Sequence, residues 1–290
     1  MNILISGATG NVGLEVCRLL QEGNPEHQIF AGVRNPEQEG DFHRRFPAIH
    51  LRKLDFNQPE RFPEALVDIQ VVFLLRPPQL SDVKKYFEPL VATCVQAKVM
   101  HLLFLSVQGA EKSSLIPHHK IEKRIVASGI PYTFLRPAYF MQNFTTTLAS
   151  DIRKRSRVYL PAGKARFTLI DIRDLAAVAA EVLLHPDAHR KKAYDLTNSE
   201  PLDFKAMCDL LSKGLGRKIA FVSPNLLQFY VQKRKEGMPA PYILVMILLH
   251  YLPRFQPTPQ TSDWVEELLG RKAIGFEEFV QREKQKLQQQ

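Results

Sequence analysis

The chain has 290 residues, of which 45% are apolar and 24% charged. That is enough material to bury a core as one large domain or as two lobes. The balance of 39 basic against 30 acidic residues gives a net charge of +9, which reads as a scattered basic surface, with an anionic ligand or nucleic acid as alternatives. No run of five like charges occurs and no aromatics interleave with the Lys and Arg residues, so a nucleic-acid partner is disfavoured.

In chain order, "NILIS" (Asn2 to Ser6) reads as a strand, and residues 11–22 carry the helical period. "QIFAGV" (Gln28 to Val33), "IHLRKLDF" (Ile49 to Phe56) and "VVFLL" (Val71 to Leu75) are strand-like. One helix is predicted over 82–98, then a strand at "HLLFLSV" (His101 to Val107), a helix over 118–128 and a strand at "YTFLR" (Tyr132 to Arg136). Continuous apolar strands separated by helices imply parallel strands covered on both faces. Repeated βα units with right-handed crossovers imply a doubly wound α/β sheet. Beyond Arg136, "FTLIDIRDLAAVAAEVLLH" reads as a strand, a turn with Asp174 as candidate N-cap, and an alanine-rich helix. "KKAYDLTN" looks like a further strand, and "DFKAMCDLLSKGLG" like a helix closed by Gly214 or Gly216. The remainder is largely helical, with proline-rich joints at 239–241 and 253–259, and "KQKLQQQ" at the end should fray.

Cys17, Cys94 and Cys208 are odd in number and far apart. They read as buried reduced thiols of a cytoplasmic protein, and no metal-ligand spacing occurs. The first strand starts at residue 2, leaving no room for a secretory segment. "YILVMILLHYL" (Tyr242 to Leu252) is too short to span a bilayer and reads as a buried, lid or interface helix. No membrane partner is expected. "RKRSR" (Arg153 to Arg157) reads as a solvated turn.

Three glycines, Gly7, Gly10 and Gly13, join the first strand to the first helix. One permits a tight turn, one lets the backbone approach a pyrophosphate, and one lets helix and strand pack closely. Free N–H groups and the dipole at the helix start favour phosphate. The strand–glycine–helix context points to a dinucleotide rather than a plain tight turn, and no Gly-Lys-Ser/Thr of a nucleotide-hydrolase loop follows. After the second strand, where an NAD site carries an acid for the ribose 2′-OH, stands Arg34. A guanidinium binds a 2′-phosphate, so NADP(H) is the expected cofactor, with a solvated loop residue as the alternative. Asp55 and Phe56 follow the third strand. They are placed beside the adenine, with Asp55 accepting from its amino group or else serving as a cap or turn residue.

"GATGNVG", "GVRNPE", "LDF" and above all "SGIPYTFLRPAYFMQNF" (Ser128 to Phe144) resemble the NmrA-like branch of the atypical short-chain dehydrogenase/reductase superfamily. The likeness extends through "IDIRDLAAVAA" to "TSDWVEELLGRKAIGFEEFV". It implies a Rossmann cofactor core over 1–145, which a strand and helix near 167–198 rejoin. It also implies a smaller, mainly helical C-terminal substrate or partner lobe over 146–290, with a cleft between the two.

By position, the resemblance assigns Gly7, Thr9, Gly10, Asn11, Val12 and Gly13 to the pyrophosphate and Arg34 to the 2′-phosphate, and it implies that the backbone of Leu75, Arg76 and Pro77 passes the adenosine ribose. Ser106 and Val107 would face the nicotinamide, Pro137, Ala138 and Tyr139 would hold its ring, and Phe140 and Asn143 would form the cleft wall. The superfamily's Tyr-x-x-x-Lys is missing: four residues before Lys120 stands Ile116, and "PHHK" offers His118, His119 and Lys120 instead. Lys120 is a candidate for the nicotinamide ribose and His118 or His119 for proton donation, against a polar helix start with exposed side chains. Phe140, Phe144, Phe229, Tyr230 and the 242–252 helix could form an apolar acceptor pocket or ordinary core. The expected function is NADPH-dependent hydride transfer to a quinone-like or aromatic acceptor. The alternative is a non-catalytic NADP(H) redox sensor that regulates a protein partner. Oligomers are compatible with either.

Overall fold

A computed structural model describes residues 1–23, 26–114 and 116–288. Through the first part of the chain run β1 (Asn2–Ser6), α1 (Asn11–Gly23), β2 (Gln28–Val33), α2 (Gly40–Arg45), β3 (His50–Lys53), α3 (Phe62–Ala65) and β4 (Val71–Leu75). They continue with α4 (Val83–Tyr86), α5 (Glu88–Gln96), β5 (His101–Leu105), α6 (Pro117–Ala127) and β6 (Tyr132–Pro137). Next come β7 (Tyr139–Phe140), α7 (Ala149–Arg155), β8 (Arg157–Tyr159), β9 (Arg166–Phe167), β10 (Leu169–Ile170), α8 (Ile172–Leu184) and β11 (Lys192–Leu196). The last part holds β12 (Leu202–Asp203), α9 (Phe204–Leu215), β13 (Ala220–Val222), α10 (Leu226–Lys235), α11 (Ala240–Tyr251), α12 (Trp264–Leu269), α13 (Phe276–Arg282) and α14 (Lys284–Gln288).

The chain divides into two compact units. The first comprises Met1–Pro137, Ile172–Leu196 and Trp264–Gly270. Its centre is a seven-stranded sheet in the order β11-β6-β5-β4-β1-β2-β3, parallel throughout. This is a Rossmann-type doubly wound sheet. The strand order reverses between β1 and β4, and the crevice at the carboxyl ends there is where such sheets bind ligands. The two faces are legible in β4, where every residue is buried. Val72 and Leu74 face Phe87, Leu90 and Cys94 of the α5 layer, with Ile121 and Ile125 of α6 in the same cluster. The opposite face is covered by α1 and α8, which pack on one another.

The second unit comprises Ala138–Asp171, Thr197–Asp263 and Arg271–Gln290. It is mainly helical with three two-stranded pairs, β10-β7, β12-β9 and β13-β8. Its core gathers Phe144, Phe167, Phe204, Phe229 and Phe279, so Phe144 and Phe229 are core residues.

Several predicted elements differ in detail. The helix predicted over 82–98 is two helices that meet at Phe87, because Pro89, in the first turn of α5, has no N–H to bond back to the Lys85 carbonyl. Asp174 is not an N-cap. The helix α8 begins two residues earlier, and Asp174 lies buried within its first turn. Gly216, at φ +69°, closes α9, whereas Gly214 lies inside it, where a Cβ would come within 2.5 Å of Val280. "KQKLQQQ" forms α14 as far as Gln288, with Leu287 buried, and Gln289 and Gln290 lie outside the described residues. In "RKRSR", Arg155 and Arg157 pair with Asp151, so the cluster is part of an ion network rather than a solvated turn. The three cysteines are free and buried, and burial pushes each thiol up to about 12.

Candidate functional site

The glycine loop follows β1 at the reversal point of the sheet. Ser6 sets its start: its hydroxyl accepts from Leu75 N–H at 2.8 Å and lies 3.3 Å from Leu75 O, tying the ends of β1 and β4. Gly7 takes φ +60°, and Gly10 N–H closes the turn on Gly7 O at 3.0 Å. Leu14 N–H makes a first helical bond to Gly10 O at 2.8 Å. Asn11, Val12 and Gly13 therefore hold N–H groups that precede the helical ladder, where an anion would be received. At Gly13 a Cβ would lie 2.4 Å from Gly7 O, so only glycine lets the helix start pack on its own loop. Gly7, Thr9, Gly10 and Asn11 are exposed, and α1 carries no acid in its first turn. Val12 is buried, so its part is confined to the backbone.

Arg34 is exposed just beyond β2, and no described residue pairs with it. Leu75 lies against the loop, its Cβ 3.6 Å from where a Cβ on Gly7 would stand. Asp55 Oδ1 accepts from Asn57 N–H at 2.9 Å and Nδ2 at 3.1 Å, a turn-forming role. Phe56 does not offer its ring to a ligand: it is buried among Phe62 and Phe87. Arg76 is also engaged. Its Nη1 donates to the carbonyls of Pro77, Pro78 and Leu80, and its Nε donates to His118 Nε2 at 3.2 Å. The guanidinium organises the loop after β4 rather than reaching outward. Ser106 is buried and donates to Glu122 Oε1 at 2.5 Å. Glu122 in turn accepts two bonds from Arg136, whose Nη1 meets Glu111 at 3.1 Å. Pro137 ends β6, and its carbonyl accepts from Gln108 N–H.

The residues of "PHHK" point in three directions around α6. His118 lies on the inward side, and burial, then the Arg76 charge, hold it down at about 3. That favours the neutral ring, whose Nε2 accepts from Arg76 and whose proton is then on Nδ1. His119 Nδ1 donates to Ala110 O at 2.9 Å, leaving a buried Nε2 without a partner among the described residues. Lys120 is exposed on the side of Lys123 and Arg124, away from the buried Ile121, Glu122 and Ile125. A groove of about 1040 Å³ along α6 is lined by His119, Lys120, Glu122, Tyr132 and Arg136, and includes none of the glycine-loop residues.

In the second unit, Tyr139 Oη lies 3.2 Å from His250 Nε2. His250 Nδ1 is 2.6 Å from Met246 O, which only accepts, so Nδ1 carries the proton and Tyr139 donates to Nε2. Burial raises the Tyr139 phenol, against a bond from Asn143, and lowers His250 to about 4. Tyr139 also packs against Phe167 and Phe204. Its ring and hydroxyl are engaged within that unit's core, and Phe140 beside it is half-buried.

The sequence profile of the NmrA-like family matches residues 1–268. The chain belongs to the NmrA-like family. Among its relatives, an NAD(P)H azoreductase of Xenophilus azovorans is 30% identical over 282 residues, covering 96% of each chain. Quinone oxidoreductase 2 of Escherichia coli K12 is 24% identical and covers 82% of each. The crystal structure of Citrobacter sp. triphenylmethane reductase complexed with NADP(H) superposes with a TM-score of 0.86 at 25% identity, covering 97% of this chain and 99% of that one. Against this family frame, Ser6 and Glu122 are the residues sequence reading missed. Ser6 had a local signal, as a lone hydroxyl ending an apolar strand beside the glycines. Glu122 had none, because its partners Ser106 and Arg136 are distant in sequence.

No group of His, Cys, Asp and Glu among the described residues is arranged to hold a metal, and no helix among them is long and apolar enough to cross a membrane.

Proposed function

We propose that this NmrA-like chain is an NADP(H)-dependent oxidoreductase that delivers hydride to a quinone-like or other aromatic small-molecule acceptor. The observation that carries the reading is the exposed glycine turn: Gly7 at positive φ, an uncapped run of three helix N–H groups, and Arg34 free at the end of β2. This cradle fits a pyrophosphate and a 2′-phosphate. The relatives named as azoreductase, quinone oxidoreductase and triphenylmethane reductase support the acceptor class. When bound, the cofactor supplies the hydride. The chain's own part is to receive the pyrophosphate on Asn11, Val12 and Gly13 N–H, to neutralise the 2′-phosphate with Arg34, and to present the ring and acceptor to one another. The buried reduced thiols favour a cytoplasmic setting.

NADPH oxidation by the purified protein against quinones, azo dyes and triarylmethane dyes tests the reading. Turnover is expected, and Arg34→Glu should lower kcat/KM for NADPH about 100-fold, because a carboxylate replaces a charge-assisted contact with repulsion. A second reading, a redox sensor that binds a protein partner, draws on the engaged His118 and His119 and the missing Tyr-x-x-x-Lys. Tight NADPH binding without turnover on any acceptor would favour it.

A further inference from the structure

At the carboxyl edge of the sheet, one acid from α6 fastens β5 to β6. The parallel ladder runs past the end of β5, with Ser106 N–H donating to Leu135 O at 2.8 Å and Gln108 N–H to Pro137 O at 3.0 Å. Phe104 pairs in register with Phe134, and both pack in the cluster that holds Ile121 and Ile125 of α6. Two residues further along each strand, Ser106 and Arg136 share that face. Glu122 meets both there. Its Oε1 accepts from Ser106 Oγ at 2.5 Å and from Arg136 Nε at 3.0 Å, and its Oε2 accepts from Arg136 Nη2 at 2.7 Å. The remaining arm of Arg136, Nη1, pairs with Glu111 at 3.1 Å. Glu111 lies in the loop that follows β5, which turns at Gly109 with φ +79°. His119, three residues before Glu122 on α6, donates from Nδ1 to Ala110 O in the same loop at 2.9 Å. Residues 106–111 are thus tied to β6 and α6 at both ends, and the buried Glu122 is where the ties converge.

The strand order places this loop against the cofactor site. Arg34 follows β2 on one side of β1, and β4 and then β5 lie on the other. A dinucleotide with its pyrophosphate on the glycine loop and its 2′-phosphate at Arg34 has its adenosine over β2. Its nicotinamide half then extends over the carboxyl ends of β4 and β5. Val107, Gln108 and Gly109 are half-buried there, whereas Ser106 and Ala110 on either side of them are buried. Resting on the reading that the glycine loop holds a dinucleotide, we infer that Glu122 is a positioning residue for the nicotinamide half of the cofactor. It acts through Ser106 and Arg136, which set where the 107–109 backbone stands at the carboxyl edge. Only a carboxylate suits the place. It accepts one bond from a hydroxyl and two from a guanidinium, whereas a carboxamide has a single acceptor oxygen.

Titration of the full chain with NADPH and with 2′,5′-ADP, which lacks the nicotinamide half, tests this without any turnover. The nicotinamide emission of bound NADPH reports the surroundings of the ring in the same experiment. Glu122→Gln should weaken NADPH about tenfold and move that emission toward the free cofactor's, while 2′,5′-ADP stays within about twofold. Ser106→Ala leaves the Glu122–Arg136 pair in place and should give the same pattern with a loss of about threefold. It carries the test if Glu122→Gln does not fold. Equal losses for both ligands would make Glu122 a general structural brace and overturn the assignment. So would an NADPH affinity and emission unchanged in both variants. If the unaltered protein bound neither ligand, the dinucleotide reading itself would fall.

Discussion

His250 illustrates how one buried ring fixes a local protonation pattern. Its Nδ1–H is held by Met246 O and its Nε2 by Tyr139 Oη, and burial lowers it to about 4 from an ordinary value near 6.5. His101 is lowered to about 4 and His118 to about 3, also chiefly by burial. Between pH 6.5 and 4 the unfolded chain takes up protons that the native rings refuse, so the unfolded state binds more protons and stability falls as the pH falls. Above pH 6.5 these rings are neutral in both states and contribute no slope. His250→Gln keeps an acceptor for Tyr139 and removes the titration. The loss of stability between pH 7 and 4, measured by urea denaturation, should shrink on the order of 3 kcal/mol in that variant. An unchanged slope would mean that His250 protonates normally in the native state. At this scale, sequence legibility depended on range. Gly7 and Gly13 shape the loop through their own backbone and immediate neighbours, a local feature that their spacing in the sequence reflects. The side chains of Phe56, Ser106, Arg76 and His118 are engaged by Phe87, Glu122, the 77–80 carbonyls and Arg76, respectively. No local pattern records those partners.

At the scale of elements, α11 separates composition from burial. Its sequence is almost wholly apolar, yet only Ile243, Met246 and His250 are buried. These recur at three- and four-residue intervals and form one face. Leu244, Val245, Leu248 and Leu249 lie exposed on the other. A uniformly apolar helix gives no periodicity from which to choose its inner face, which is why the sequence left its environment open. The strands were easier, because runs such as "VVFLL" are buried on both faces and need no choice of side. The two faces of α11 should respond differently to truncation. Met246→Ala should cost about 2–5 kcal/mol in urea denaturation through lost contacts and a residual cavity. Leu248→Ala should change stability by no more than about 0.5 kcal/mol, as expected of an exposed position. Similar costs at both positions would mean that the outer face is covered in solution.

For the whole molecule, the glycine loop, Arg34 and Glu122 all belong to the first unit, whose chain is assembled from three separated segments. The sheet could be read from sequence because each βα unit is contiguous. The return of Ile172–Leu196 and Trp264–Gly270 to that unit involves pairings such as Tyr194 with Trp264, 70 residues apart. A ligand that binds only the native first unit stabilises it by mass action, about 2.7 kcal/mol at 100 times its Kd. Hydrogen exchange should therefore slow in β1, the α1 start, β2 and β4 when NADPH is added at that excess. It should slow less with NADH at the same concentration, because the 2′-phosphate contacts are missing. The amides of α9 and α13, which pack on one another in the second unit, report whether that gain is shared. Protection confined to the first unit would mark the two units as separate cooperative bodies. An equal gain in α9 and α13 would mean that they open only together, and that occupancy of the glycine loop is felt by the unit carrying Tyr139 and His250.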